Sequence, residues 1–427
     1  MKKIYVFGIG KGEKYLKRCL IAENVIVKGY IDNYKYESLK IYNGYSVIKQ
    51  DDIKEDFDYI IITLMQYESV KKNLIENGID KNKIICFFDF IAASSEVYSD
   101  IIDSYKWKTE LMFKHYYEIV VPSMNNLQYE LYFDSNEMKR EFPKIIDVDE
   151  TVRVIKKYKK SLARLGDGEF ELIFGRCRAN FQDVDFLLAS KLKETLNSQR
   201  DNLLVAIADI YGKLDKYTDE SANNIRTYLT SSVRREHMSL LDLNRYYYNA
   251  YISRPYIIYR NKETALKKFQ NIREIWSNKD ILIVEGKHTR FGVGNDLIAN
   301  ANSVERIICP DKNAFNMYKI IKEKTLEFGK NKLILTTLGP TATVLACDVS
   351  KENGYWIIDI GQLDTEYEWF LKGVSERCRI ENKNVSEVFS YIPINDNYKD
   401  ENIKKYEEQI IYKIDWCTGV IFKWIIN

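Results

Sequence analysis

The sequence has no excess of either charge: 64 lysines and arginines face 62 aspartates and glutamates, for a formal net charge of +2. A nucleic-acid binder normally carries a basic footprint, so this balance makes no case for that class. The chain also has no C-x-x-C pair. Its seven cysteines, Cys19, Cys86, Cys177, Cys309, Cys347, Cys378 and Cys417, are scattered and odd in number. That argues against a structural zinc site and for the reduced thiols of a cytosolic protein. No apolar run approaches the roughly 20 residues that a membrane span needs. The first residues, Met1-Lys-Lys-Ile-Tyr-Val-Phe-Gly8, begin like a strand and lack a signal-peptide apolar region. The expectation is a cytoplasmic protein without a transmembrane segment, at most peripheral to a membrane. There is no internal repeat and no low-complexity segment, and 427 residues fit two or three domains.

What is present alternates between strand and helix patterns. Residues 3–8 read as a buried strand, followed by the turn Gly8-Ile-Gly-Lys-Gly12 and a helical pattern from Glu13 to Ile21. Val25 to Ile31 reads as a second strand ending at Asp32, Tyr59 to Thr63 as a third and Lys83 to Phe88 as a fourth, with a helix around Ser69 to Gly78. Such alternation predicts a parallel sheet with crossover helices. The glycines sit where a nucleotide phosphate is accepted in a dinucleotide fold, and Asp32 sits where a ribose hydroxyl is read. The third fingerprint glycine is missing at its usual spacing, where Glu13 stands. Residues 1–90 are therefore expected to be a Rossmann-like accessory domain. Residues 91–140 contain no glycine and read as a helical connector.

The rest of the chain is organised around Ser161-Leu-Ala-Arg-Leu-Gly-Asp-Gly-Glu-Phe170. Two carboxylates, Asp167 and Glu169, flank Gly168, which leaves room for a ligand to approach. Mg²⁺ and Mn²⁺ favour such hard oxygen donors, often completed by substrate phosphates. Gly166 shapes the turn, and Arg164 beside it suits a diphosphate. A solvated turn capping a helix would need no such chemistry. Downstream, a largely helical stretch at 221–248 precedes Arg254, which is extended before Pro255. The strand Asp280 to Gly286 ends in Glu285 and leads into a turn, Lys287 to Leu297, that is expected to open a helix. Ligands in open α/β sheets bind beyond the carboxyl ends of strands, which brings in Arg290, Gly292, Gly294, Asn295 and Asp296. Asn313 follows the strand Val304 to Pro310. Thr341 lies in the turn Leu338 to Thr343, where free N–H groups and hydroxyls can hold an anion. Trp356 to Gly361 is a strand followed by Asp364, Glu366 and Glu368.

The ordered motifs A-R-L-G-D-G-E, S-R-P-Y, V-E-G-K-H-T-R-F-G-V-G-N-D-L, C-P-D-K-N-A-F, L-G-P-T-A and D-I-G-Q-L-D-T-E-Y-E-W resemble the GT-D type glycosyltransferases, a bacterial family first catalogued as a domain of unknown function. The resemblance covers about residues 141–395 and leaves 396–427 as a C-terminal extension. It implies a second Rossmann-like α/β domain, so the fold class is two Rossmann-like domains with mainly parallel sheets. It also implies a nucleotide-sugar donor such as UDP-glucose, and a glycan, glycoprotein or lipid-linked acceptor. By position, Asp167 and Glu169 correspond to a metal pair for Mn²⁺ or Mg²⁺, Arg164 to a diphosphate contact and Glu368 to the catalytic carboxylate. The family often has His where this chain has Gln362, a neutral amide that does not titrate like imidazole. Residues 1–90 resemble the small Rossmann-like domains attached to sugar-modifying enzymes.

On these residues, a metal ion and Arg164 stabilise the leaving nucleoside diphosphate, and a carboxylate takes the acceptor proton. Glu368 is the first candidate base, with Glu366, Asp364 and Glu285 behind it. On a helix Asp364 and Glu368 share a face and Glu366 does not; on a strand all three do. The rings of Tyr367 and Trp369 are expected to pack on a sugar. Two other readings stand: an epimerase or nucleotidyltransferase using Gly8 to Gly12, and a non-catalytic nucleotide-sugar scaffold. Whether the chain forms a homo-oligomer is left open.

Overall fold

The structure, a computed structural model, describes residues 1–36, 39–54, 56–121, 123, 124, 127, 142–176, 182–385 and 401–414. The chain divides into two compact units, the first running from Met1 to Met124.

The first unit holds a six-stranded sheet of order β3-β4-β2-β1-β5-β6. Its strands are β1 (Lys2–Phe7), β2 (Val25–Ile31), β3 (Ile41–Tyr42), β4 (Tyr45–Ile48), β5 (Tyr59–Ile62) and β6 (Ile84–Cys86). All pairings are parallel except the β3–β4 hairpin. Ile4 and Val6 pack on one face of β1, Tyr5 and Phe7 on the other. Burial on both faces is what a continuous apolar run in a parallel sheet demands. The hairpin was not expected. Its turn is Asn43-Gly44, with φ of 51° and 82°, the left-handed pair that two-residue hairpins favour.

Two details bear on the glycine turn. A Cβ at Gly12 would stand 2.0 Å from the Thr63 carbonyl oxygen, so this glycine lets the helix Lys11–Cys19 press on the end of β5. The Asp32 carboxylate accepts the backbone N–H groups of Ile9, Tyr34 and Lys35 at 3.2, 3.1 and 2.9 Å. These bonds hold the loop and engage the acid expected to read a ribose. The helices Phe90–Ser94 and Ser104–His115 belong to this unit rather than to a separate connector. Trp107 is fully buried, stacks on Phe87 at 5.7 Å and donates its Nε1–H to the Phe87 carbonyl. Most of the expected connector beyond residue 121 lies outside the described residues.

The second unit holds a nine-stranded sheet of order β15-β12-β11-β13-β14-β8-β9-β10-β7. Its strands are β7 (Lys144–Ile145), β8 (Ser161–Leu165), β9 (Leu203–Ile207), β10 (Tyr246–Asn249), β11 (Asp280–Gly286), β12 (Ser303–Cys309), β13 (Leu333–Thr337), β14 (Trp356–Asp359) and β15 (Ile410–Lys413). Every pairing is parallel. Along β11, Ile281 and Ile283 face one core layer while Leu282 and Val284 face the other. The chain lays β8, β9 and β10 outward to one side, then crosses over to start again at β11. β13 and β14 later fill the gap. β8 and β14 thus meet at the switch in strand order and share the single register pair Leu162 and Ile358. A ligand crevice is expected beyond the carboxyl ends at such a point.

Two expectations are corrected in this unit. Tyr246–Asn249 is a strand, not the end of a helical stretch. Residues 287–301 form successive turns and not a helix: β12 already begins at Ser303, and Arg290, Gly292 and Gly294 ahead of it have φ of 48°, 71° and 80°. A right-handed helix cannot pass through that conformation. Within the expected C-terminal extension, residues 401–414 form the helix Glu401–Glu408 and strand β15, which pairs with β12. Among the described residues, no helix is long and apolar enough to cross a membrane.

Candidate active site

The strand β8 delivers its residues to the switch point. Ser161, Leu162, Ala163 and Leu165 are buried, and Gly166 ends the strand as N-cap of the helix Asp167–Ile173. Glu169 turns back so that its Oε2 accepts the Gly166 N–H at 2.7 Å, satisfying one of the donors a helix start leaves open. Asp167 is exposed, while Glu169 is half-buried at its surface. Burial of the carboxyl itself pushes Glu169 up to about 7, against the pull of the Gly166 N–H and Arg164. Asp359 and Asp167 add their repulsion in the same direction.

Arg164 does not point freely into solvent. Its Nε donates to the Asp359 carbonyl at 2.9 Å and its Nη2 to Asp359 Oδ1 at 2.8 Å. Its Nη1 donates to Ser253 Oγ at 2.8 Å. Asp359, at the end of β14, is fully buried, and Thr343 donates to both its Oδ2 and the Arg164 carbonyl. The glycine of D-I-G has its reason here: at Gly361, with φ 51°, a Cβ would meet Arg164 Nη2 at 2.0 Å. Arg164 thereby ties β8, β14 and the S-R-P loop together.

A second cluster lies on the helix Leu363–Leu371. Asp364 Oδ1 accepts the Gly292 N–H at 2.9 Å and the Asn295 amide at 2.8 Å, and Oδ2 accepts from Lys383 at 2.7 Å. Glu368 Oε1 accepts from Asn295 at 2.7 Å and Lys383 at 3.1 Å. Its other oxygen has no hydrogen-bond partner among the described residues, and the side chain is 13% exposed. Lys383 is buried between the two acids. The helix also settles the face. Glu366 points away and is fully buried. Its Oε2 accepts the N–H groups of Tyr256 and Ile257 at 3.0 and 2.8 Å, bracing the loop that carries Arg254. Arg254 is half-buried, and with φ −136° and ψ 56° it is not in the extended conformation expected before Pro255.

Other expected residues sit elsewhere. Glu285 is fully buried, pairs with the equally buried Arg306 and accepts the Phe291 N–H at 2.7 Å, pinning the turn after β11. Asp296 is held by Arg273 and the Tyr367 hydroxyl. Asn313 exchanges hydrogen bonds with Asp183. Arg290 donates to the Asn382 carbonyl at 3.0 Å. Gly294 is open, with nothing where a Cβ would stand. Thr341 is fully buried in the first turn of the helix Pro340–Val349, and its hydroxyl finds no partner among the described residues. The expected aromatic platform is absent. Trp369 is fully buried with its Nε1 bonded to the Cys378 carbonyl, and Tyr367 packs against Phe269.

Sequence reasoning did not single out Asp359, Ser253 or Lys383. Asp359 was findable as the acid closing the D-I-G strand; Lys383 carries no local signal. Nor did it find the support beneath the paired acids. His237, fully buried, stacks on Phe170 at 4.0 Å and bonds Tyr211 at 2.7 Å and Tyr228 at 3.1 Å. The Tyr228 hydroxyl also reaches the Asp167 carbonyl and Glu171 Oε1. Burial lowers His237 to about 4, against the pull of Glu171 and Glu236.

Among the described residues, no three His, Cys, Asp or Glu side chains converge as a metal cage. Asp167 and the second oxygen of Glu169 offer hard donors only. That set fits Mg²⁺ or Mn²⁺ whose shell is completed by substrate phosphates and water.

Residues 162–388 match the family described as glycosyltransferase GT-D fold, and residues 1–85 match a family described as C2185-like, N-terminal. The chain is 35% identical over 271 residues to a probable glycosyl transferase Gly of Streptococcus gordonii, covering 62% of this chain and 38% of that protein. It is 29% identical over 357 residues to glycosyltransferase GlyD of Streptococcus pneumoniae serotype 4, covering 83% of this chain and 41% of that protein. The chain therefore spans about two fifths of the length of both relatives. A solved structure of a new glycosyltransferase (domain of unknown function 1792) from Streptococcus sanguinis aligns with TM-score 0.59 and 33% identity over 64% of this chain and all of that one.

Proposed function

Because the chain belongs to the GT-D fold glycosyltransferase family, we propose that it transfers a hexose from a UDP-linked donor to a hydroxyl of a glycan or glycoprotein in cell-surface glycan assembly. The observation that carries this reading is the carboxylate pair at the end of β8, placed where strand order reverses and beside the buried ion pair of Arg164 and Asp359. Asp167 and Glu169 are the residues that would hold a Mn²⁺ or Mg²⁺ ion, which would supply charge stabilisation for the leaving diphosphate. Arg164 spends three N–H groups on protein partners, which leaves two of the five on a guanidinium for the diphosphate. Thr341, beyond the end of β13 and with a buried hydroxyl that lacks a partner among the described residues, is a further candidate to hold the anion.

Glu368 receives the acceptor proton on Oε2. Asn295 and Lys383 fix its Oε1, so the base is oriented before substrate arrives. Asp364 keeps Lys383 and Asn295 in place and does not itself meet the substrate. A panel of UDP-, GDP- and TDP-sugars with Mn²⁺, read as released nucleoside diphosphate, tests the proposal. Release from a UDP-hexose that depends on Glu368 supports it. Silence across the panel, with donor binding retained, favours a nucleotide-sugar scaffold instead.

A further inference from the structure

The first unit contains a cavity of about 250 Å³ between the helix Lys11–Cys19, β2 and the β3–β4 hairpin. None of Gly8 to Gly12 lines it, and it belongs to no role described above. Its floor is apolar, with Val6, Leu16 and Val27. One wall is polar and built around Glu13, whose residue is 1% exposed. Glu13 Oε1 accepts from the Tyr30 hydroxyl at 3.2 Å and pairs with Lys17 at 2.9 Å. Oε2 accepts from the Tyr42 hydroxyl at 3.3 Å, and the Asn43 amide stands 3.5 Å from Oε1. Tyr45 lines the cavity and is 41% exposed.

The chemistry of the lining selects a ligand class. Glu13 and Lys17 cancel in charge, so neither a phosphate nor a free cation is favoured. Each phenol donates to Glu13 and thereby turns its own oxygen into an acceptor for a ligand hydroxyl. Lys17 and Asn43 contribute donors. The arrangement offers donors and acceptors side by side over an apolar floor with an exposed ring at the edge, and it carries no net charge. A pyranose has that surface: hydroxyls around its rim and C–H groups on its faces. Size agrees, since ligand pockets of roughly 300–1,000 Å³ take drug-sized molecules and this one lies just below that range. It has room for one ring and not for a dinucleotide. We propose that the N-terminal unit carries a binding site for a neutral monosaccharide unit, formed by Glu13, Lys17, Tyr30, Asn43 and Tyr45.

The test uses the full chain and ligand-observed saturation-transfer NMR. The probes are glucose, galactose, N-acetylglucosamine and their methyl glycosides, with NAD and UDP alongside. Tyr45→Ala truncates a partly exposed ring and leaves the core intact; Glu13→Gln reports on the buried wall. At least one saccharide is expected to bind, and its affinity to fall roughly 2- to 10-fold in Tyr45→Ala, the loss of one aromatic packing partner. The same binding should persist in Asp167→Asn, which separates this site from the one at β8. No saccharide with a Tyr45-dependent signal, or a signal lost in Asp167→Asn and kept in Tyr45→Ala, overturns the proposal. A Tyr45-dependent signal from NAD or UDP in place of the saccharides overturns it as well.

Discussion

Acidification should loosen the second unit through one imidazole. His237 is fully buried, and its folded value of about 4 lies below the ordinary 6.5. The neutral ring is therefore the native form. Between those two values the unfolded chain binds more protons than the folded one, so stability is complete above 6.5 and drains away as pH falls through 4. The span corresponds to at most about 3 kcal/mol. The structural cost is visible. A neutral ring accepts from one tyrosine and donates to the other, whereas an imidazolium must donate to both Tyr211 and Tyr228. The assay is urea unfolding followed by tryptophan fluorescence from pH 8 to 4, in wild type and in His237→Phe. Trp107→Phe in both backgrounds removes the first unit's reporter. Phenylalanine keeps the flat stack on Phe170 and cannot titrate. Stability should fall more in wild type than in the variant over this range, by up to about 3 kcal/mol. The subtraction matters because Glu169, raised to about 7, acts in the opposite sense: its contribution is complete below 4.5 and is lost as pH rises through 7. Equal slopes in the two proteins, or a ring titrating above pH 6 by NMR, would refute the reasoning. The sequence holds only three histidines, so the variant identifies the resonance.

Glu368→Gln should keep donor and metal affinity but lose transfer by at least roughly a hundredfold, the usual contribution of a base; steady-state kinetics with binding by calorimetry checks both halves. Glu366→Gln should behave differently, because it weakens the brace on Tyr256 and Ile257: a loss of about 1–3 kcal/mol in unfolding free energy, with activity falling only as the fold loosens. Asp167→Asn should leave the circular dichroism spectrum unchanged while abolishing the Mn²⁺ dependence of donor binding. In wild type that Mn²⁺ affinity should drop about tenfold from pH 8 to pH 6, as Glu169 must release its proton to bind metal; a flat profile by calorimetry would place the metal elsewhere.

The parallel sheets were legible because buried strands are short apolar runs, and β2 spans the stretch the sequence suggests. Two strands escaped for opposite reasons. β10 is a run of tyrosines ending a helical stretch, where aromatic residues signal strand only weakly against the helix pattern before it. β3 and β4 carried the strong Asn43-Gly44 signal but are only two and four residues long. After β11 the turn Lys287 to Leu297 was expected to open a helix. Instead β12 begins at Ser303, residues 295–301 make only turns, and the Gly292 N–H goes to Asp364.

The site shows the same division. Which residue types gather at strand ends is written in the sequence, since the ends fall where apolar runs stop. What each carboxylate touches is not. Asp364, Glu366 and Glu368 are separated by two residues each and look equivalent in a string. Helical geometry gives the first and third one face, and the second the opposite one. Glu366 then satisfies two backbone donors in the core, while Glu368 has one oxygen with no hydrogen-bond partner among the described residues. Lys383, which holds Asp364 and Glu368 together, comes from a turn fifteen residues beyond Glu368. No local pattern announces it, because its partner acids are assembled only when residues 380–385 pack back on the turn after β11, where the Asn384 N–H meets the His288 carbonyl. The choice of Glu368 over Glu366 therefore rests on tertiary contacts. The same contacts explain why Glu366→Gln is expected to cost stability and Glu368→Gln to cost turnover.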